Sequence, residues 1–200
     1  MRQLCHLVIL SEAKNLFSRK MGILTPAAQA QNDSSILIQE SKMRNTTLCY
    51  IEKDGQYLML HRVKKENDIN KDKWIGIGGK FEDRESPEDC VRREVLEETG
   101  LILRNLNYRG IITFVTDKWE TEYMHLFTSD EFEGQIKTCD EGNLEWIDKS
   151  KLLQLDIWEG DKVFLRLLDT DEPFFSLKLT YKGEEDRLIS AILNEKELLK

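Results

Sequence analysis

The sequence predicts an α+β domain, an α/β/α sandwich with a mixed β-sheet, on three observations. Short β-branched and apolar runs separated by turn signals recur along most of the chain, two segments carry helical periodicity, and no unit repeats at a fixed spacing. A chain of 200 residues has room for one such domain plus an extension. At that size it buries about 70% of its unfolded surface and needs no staples.

The elements follow in order. Thr46 to Glu52 is β-branched and apolar, Asp54-Gly55 is a hairpin signal, and Gln56 to Arg62 returns as a second strand. Val63 to Lys73 is a polar loop whose Lys64, Lys65, Lys71 and Lys73 form a mobile rim able to attract a polyanion. Trp74-Ile75-Gly76-Ile77-Gly78-Gly79 follows, a stretch in which backbone can approach backbone or ligand. A marked helix comes next, with Ser86 as N-cap, Pro87 at the first helical position, Asp89 completing a capping-box variant and Gly100 as the stop. Tyr108 to Asp117, Trp119 to Thr128 and Leu144 to Asp148 read as strands. Gly160 to Leu168 is a second helix, because Val163, Leu167 and Leu168 share a face. Phe174 to Tyr181 and Asp186 to Leu193 form a closing hairpin around Lys182-Gly183-Glu184.

Residues 1–42 differ in character. Leu4 to Leu10 is a short apolar run, but Glu12, Lys14, Arg19 and Lys20 separate it from Ala28-Gln29-Ala30, which argues against a secretion signal. Thr25 to Ser35 is rich in Ala, Gln, Asn and Ser and lacks periodicity, as in a linker or disordered arm. Met43 offers a second start, so the expected organisation is a disordered or mis-started extension over 1–42 and the domain over 43–200.

Lys+Arg 29 against Asp+Glu 37 gives a net charge of −8, which argues against polymeric nucleic acid or an anionic membrane as partner. No apolar stretch approaches the length of a transmembrane helix. Cys5, Cys49, Cys90 and Cys139 stand far apart without a Cys-x-x-Cys pair, as expected of reduced thiols in a cytoplasmic protein. Cys90 and Cys139 read as small buried hydrophobes. His6, His61 and His125 show no ligand spacing, so a His-held metal is not expected.

The first helix carries the chemistry. At about 100° per residue, Glu94, Glu97 and Glu98 share one arc, and Glu98 falls on the stripe of Val91 and Val95. Carboxylates crowded beside an apolar stripe repel one another and resist desolvation, and a hard divalent cation relieves both.

The full segment reads Gly79, five residues, Glu85, seven residues, then Arg93-Glu94-Val95-Leu96-Glu97-Glu98-Thr99-Gly100-Leu101. This is the Nudix box, complete at every defining position, and the chain resembles the Nudix hydrolase superfamily from about Met43 to Leu193. The resemblance implies the Nudix fold, with a loop-helix-loop Nudix motif that binds Mg²⁺, or Mn²⁺, and a diphosphate linkage. Carried over by position, Glu94, Glu97 and Glu98 are metal ligands, the Gly79 carbonyl is another, and Glu85 with Arg93 orients the cluster.

Within the superfamily the chain is similar to the MutT-like oxidised purine nucleoside triphosphatases, the 8-oxo-dGTP diphosphatases. Asp140-Glu141 precedes Leu144-Glu145-Trp146 where that family places a further acid able to reach the metal. Asp156-Ile157-Trp158-Glu159-Gly160-Asp161 resembles its purine-contacting segment, which implies that Trp158 stacks on the base and Asp161 reads its edge. Two positions depart from the pattern: Ile75 replaces an asparagine, and Gly160 replaces a second acid. Arg62 and Lys80 are candidate phosphate contacts.

The resemblance implies metal-assisted hydrolysis of a nucleoside triphosphate to monophosphate and pyrophosphate by a monomer, in the service of nucleotide-pool sanitation and DNA repair. Glu97, Glu98 or Glu141 takes the proton of the attacking water. Two alternatives stand beside it: a Nudix hydrolase of another nucleoside diphosphate derivative, and a nucleotide-binding Nudix module without turnover.

Overall fold

The computed structural model describes residues 43–199 apart from 67, 171, 184 and 185. The expectations for residues 1–42, including the disordered arm, Cys5 and His6, lie outside the described residues. Strands β1 (Arg44–Lys53) and β2 (Gln56–His61) turn on Asp54 and Gly55, at φ 51° and 73°. Two consecutive positive values are what a type I′ hairpin turn requires, and Gly55 supplies one without strain.

The two strands pair only from Ile51–Lys53 to Gln56–Leu58 and then part. The glycine-rich segment fills the gap. Its strand β3 (Trp74–Ile75) pairs with Leu60 and His61, while Ile77 and Gly79 bond β1: Cys49 N to Ile77 O at 2.7 Å, Ile77 N to Cys49 O at 3.0 Å and Thr47 N to Gly79 O at 2.8 Å.

Helix α1 (Pro87–Thr99) has the ends its sequence signals. Ser86 accepts from Asp89 N at 3.1 Å, Asp89 Oδ2 accepts from Ser86 N at 3.1 Å, and Gly100 sits at φ 78° with its N–H on Leu96 O. There follow β4 (Ile102–Leu103), β5 (Asn107–Val115), β6 (Glu122–Ser129), β7 (Phe132–Glu133), β8 (Asn143–Asp148) and a 3₁₀ turn at Lys149–Gln154. Helix α2 (Glu159–Leu168) leads to β9 (Phe175–Lys182), β10 (Arg187–Leu193) and β11 (Lys196–Leu199).

Among the described residues the main sheet runs β11-β10-β9-β5-β6-β1-β2-β3, with β8 also on β2, and a second small sheet pairs β4 with β7. Pairs β1/β6 and β5/β9 are parallel and the others antiparallel, so the sheet is mixed. Alternation along the strands makes two cores. Leu48, Tyr50, Tyr57 and Met59 pack with Phe164, Leu165 and Leu168 of α2, whereas Cys49, Ile51, Leu58 and Leu60 pack with Val91 and Val95 of α1. The helices therefore cover opposite faces, as a sandwich requires.

The strand expected from Trp119 begins only at Glu122; Trp119 lies in the β5–β6 connection, 53% exposed, because pairing with β5 extends no further than Glu122. Cys49, Cys90 and Cys139 are buried and free. No helix among the described residues is long and apolar enough to cross a membrane.

Candidate active site

Glycines bring the acid-bearing helix onto the sheet. A Cβ on Gly78 would stand 2.1 Å from Thr47 O, and one on Gly79 would stand 2.4 Å from Cδ of Glu94. Only a residue without Cβ lets this segment lie against β1 and α1 at once. Gly79 O accepts from Thr47 N at 2.8 Å and, more weakly, from Cys90 Sγ at 3.9 Å.

Arg93 organises the outer acids. Its Nε and Nη2 reach the two oxygens of Glu85 at 2.6 and 3.0 Å, a bidentate fork. Its Nη1 donates to Glu94 Oε1 at 2.9 Å and Glu97 Oε2 at 3.2 Å, and Nη2 also reaches Lys80 O at 3.0 Å. The Arg93 fork, aided by the Glu82 amide, holds the Glu85 carboxyl down at about 2.

The inner acids stand in a different field. Burial, then the charges of Glu141 and Glu94, push Glu98 up to about 8, against the pull of Arg62 and the Gly78 amide 3.4 Å away. Burial also raises half-buried Glu94, against Arg93. Glu141 comes from the loop before β8. Burial resists its ionisation, but hydrogen bonds and charge from Lys65 and Arg62 outweigh this and hold its pKa below the ordinary value. Glu97 faces outward, its side chain 59% exposed.

Among the described residues no three Asp, Glu, His or Cys side chains stand together closely enough to hold a metal ion by themselves. Glu94, Glu98, Glu141 and Gly79 line one cleft and offer it oxygen donors only. Such a set fits a hard divalent cation that retains waters or takes substrate oxygens, and the repulsion among these buried acids is what a cation relieves.

A cleft of about 540 Å³ joins these acids to an apolar wall. Gly79, Lys80, Arg62, Glu94, Glu98 and Glu141 line it together with Leu48, Ile75, Phe114, Met124, Trp158 and Asp161. Trp158 precedes α2; its indole N–H donates to Asn70 Oδ1 at 2.8 Å, Lys73 Nζ stands 5.3 Å over its ring, and Tyr181 meets it edge-on at 6.1 Å. Asp161 is buried, and burial pushes its carboxyl up to about 7 against the opposing charge of Lys73.

Of the site residues expected from sequence, the structure brings Gly79, Lys80, Arg62, Glu94, Glu98, Glu141, Trp158 and Asp161 to one cleft, while Glu85, Arg93 and Glu97 stand behind its acid side. Arg62 is no free cation: Asp68 and Glu141 both hold it. In the lysine loop Lys64 bonds Cys139 O, Lys65 bonds Glu141 and Lys73 bonds Asp156. Sequence reading missed Asp68, Asn70, Phe114, Met124 and Trp119, all of which line the cleft. Asp68-Ile69-Asn70 does carry a local turn signal, but Trp158, the partner of Asn70, lies 88 residues along the chain.

Fold and site together define a hydrolase of phosphorus-containing anhydrides. The NUDIX domain model matches residues 42–168, and the chain belongs to that family: it is a Nudix hydrolase. It is 34% identical over 124 residues to the oxidized purine nucleoside triphosphate hydrolase of Danio rerio, covering 61% of this chain and 77% of that one. It is 29% identical over 151 residues to YvcI of Bacillus subtilis (strain 168), described as an uncharacterized Nudix hydrolase, covering 73% and 92%. Among solved structures it is similar to a MutT protein from Bacillus halodurans, with a TM-score of 0.67 at 28% identity over 76% of this chain and 97% of that one. Nudix hydrolases generally use a divalent metal, and the donor set described above fits one.

Proposed function

We propose that the protein hydrolyses oxidised purine nucleoside triphosphates, 8-oxo-dGTP among them, to the monophosphate and pyrophosphate, with Mg²⁺ or Mn²⁺ as cofactor. In this reading it is a cytoplasmic monomer that clears damaged nucleotides from the pool before they reach DNA. The observation that carries it is the shared cleft: a group of acids and an aromatic, acid-tipped wall line one cavity. Similarity to the Danio rerio hydrolase supports the same substrate class, and the net charge of −8 favours a small nucleotide over a polymer.

Glu94, Glu98, Glu141 and the Gly79 carbonyl would hold the cation. When bound, the cation neutralises phosphate oxygens and lowers the pKa of the attacking water. Arg93, with Glu85 behind it, keeps Glu94 and Glu97 in place while charge builds on the phosphates. Lys80, exposed at the cleft, meets the phosphate chain, while Arg62, held by Asp68 and Glu141, backs the acid cluster. Glu97 points away from the cleft, so Glu98 and Glu141 are the carboxylates placed to take the water's proton. Trp158 offers a stacking face worth about 1–3 kcal/mol. Asp161, largely protonated below about pH 7, donates to an acceptor on the base edge.

The test is kcat/KM over a panel of canonical and oxidised nucleoside triphosphates, ADP-ribose and diadenosine polyphosphates, with Mg²⁺ and with EDTA. Metal-dependent preference for 8-oxo-dGTP or 2-oxo-dATP over normal nucleotides is the expected result. Preference for a compound without a triphosphate would overturn the substrate assignment, and absence of turnover would make the protein a nucleotide-binding module.

A further inference from the structure

Glu141 belongs to the acid cluster and Trp158 to the aromatic wall, yet an unbroken run of polar contacts connects them. Arg62 Nη1 donates to Glu141 Oε2. Arg62 Nε and Nη2 meet Asp68 Oδ2 at 2.7 and 2.6 Å. The other oxygen of Asp68, Oδ1, accepts from Asn70 N at 3.0 Å, and Asn70 Oδ1 accepts from the Trp158 indole at 2.8 Å. The side chains of Arg62 and Asp68 are only 12% and 8% exposed. Backbone bonds from Arg62 N to Lys73 O at 2.9 Å and from Asp72 N to Arg62 O at 2.8 Å close the loop that carries them.

We propose that Asp68 is a positioning residue that ties the base-binding wall to the acid cluster, an inference that rests on the cleft taking a purine nucleotide. Each carboxylate oxygen governs one arm. Oδ2 fixes the Arg62 guanidinium, so that Nη1 stays on Glu141 instead of turning toward substrate phosphate. Oδ1 fixes Asn70, whose amide oxygen sets the plane of the indole. A base seated on Trp158 is thereby held in register with the phosphate-directed acids by a side chain that does not itself touch the reacting atoms. Base selection and rate become linked through one loop.

The two arms separate by substitution. Asp68→Asn keeps an oxygen for Asn70 N but loses the carboxylate that pins Arg62; Asp68→Ala loses both; Asn70→Ala removes only the indole acceptor. The readouts are the Trp158 emission and nucleotide affinity in EDTA, with Trp158→Phe as baseline, and kcat and KM for 8-oxo-dGTP with Mg²⁺. Asn70→Ala and Asp68→Ala should shift the emission and weaken binding about fivefold, the scale of one hydrogen bond. Asp68→Asn should retain emission and affinity but lose about tenfold in kcat, the scale of a partner behind a metal ligand. Identical behaviour of Asp68→Asn and Asp68→Ala, or a change in Tm alone, would overturn the tie. If Asp68→Ala fails to fold, Asp68→Asn and Asn70→Ala decide by the same criteria. A wild-type protein that turns over no purine triphosphate overturns the substrate assignment instead; the tie is then decided in EDTA, where unchanged Trp158 emission in Asn70→Ala sinks it.

Discussion

The backbone N–H of Gly160 donates to the Tyr181 hydroxyl at 2.7 Å, and a Cβ on Gly160 would stand 2.5 Å from that same oxygen. The same Cβ would also meet Leu179 Cδ1 at 2.5 Å. The position that reads by resemblance as a missing purine-contacting acid is therefore a packing contact between α2 and β9, and Asp161 alone of the pair lines the cleft. Gly160→Asp should not restore a base contact. It should lower stability by about 1–3 kcal/mol, the usual cost of overpacking, with a lower Tm and no fall in KM. A lower KM at unchanged Tm would show that the side chain finds room toward the substrate.

Arg93 makes five hydrogen bonds to oxygen that a lysine cannot reproduce, because an ammonium lacks the planar fork that spans both Glu85 oxygens. Arg93→Lys should lose about 10–100-fold in kcat through misplacement of Glu94 and Glu97. Its Tm should move little, since the fork lies near the surface. Steady-state kinetics at saturating Mg²⁺ checks this, and a rate within about twofold of wild type would show that the acids hold their own geometry.

Features written in local sequence were legible. Ser86, Pro87, Asp89 and Gly100 fix both ends of α1 because capping acts within one turn, and Asp54-Gly55 fixes the first hairpin because two residues define it. The two-residue strands β3, β4 and β7 were not, since each exists only through its distant partner. The helix arc was only half legible. Periodicity groups Glu97 with Glu98, but packing on the sheet buries Glu98 and leaves Glu97 outside. The Arg62–Asp68–Asn70 connection spans 79 residues to Glu141 and 88 to Trp158, a separation at which no local pattern carries information.

Glu98 is where metal and fold compete. Burial with Glu141 and Glu94 nearby favours its protonated form in the metal-free protein, so a cation must displace that proton. Mg²⁺ at 100 times its Kd should stabilise the wild type by about 2.7 kcal/mol. Glu98→Gln, neutral and nearly isosteric, should lose most of that thermal shift while its Tm in EDTA equals or exceeds wild type. Turnover should fall by about a hundredfold or more, the scale of one lost electrostatic contact at a reacting centre. A full Mg²⁺-dependent shift in the variant would remove Glu98 from the ligand set.

Asp161 gives the stability a pH dependence of definite sign. Burial raises its carboxyl to about 7 in the folded protein, Lys73 opposes this, and the Tyr50 and Tyr181 rings are its other polar neighbours. In the unfolded chain the same carboxyl titrates near its ordinary value of about 3.9. Between those values the folded protein keeps a proton that the unfolded chain has released. The contribution is therefore fully present below pH 4 and is lost as pH rises toward 7, by up to about 1.4 kcal/mol per unit. Asp161→Asn carries no titrating group and should escape this decline. Glu98 adds a decline of the same sign to both proteins, so the difference between them isolates Asp161. Thermal unfolding from pH 4 to 8 in EDTA should show the variant gaining steadily on the wild type. A gap that does not change with pH would mean that Asp161 is ionised throughout, and the base edge would then be read by an acceptor instead of a donor.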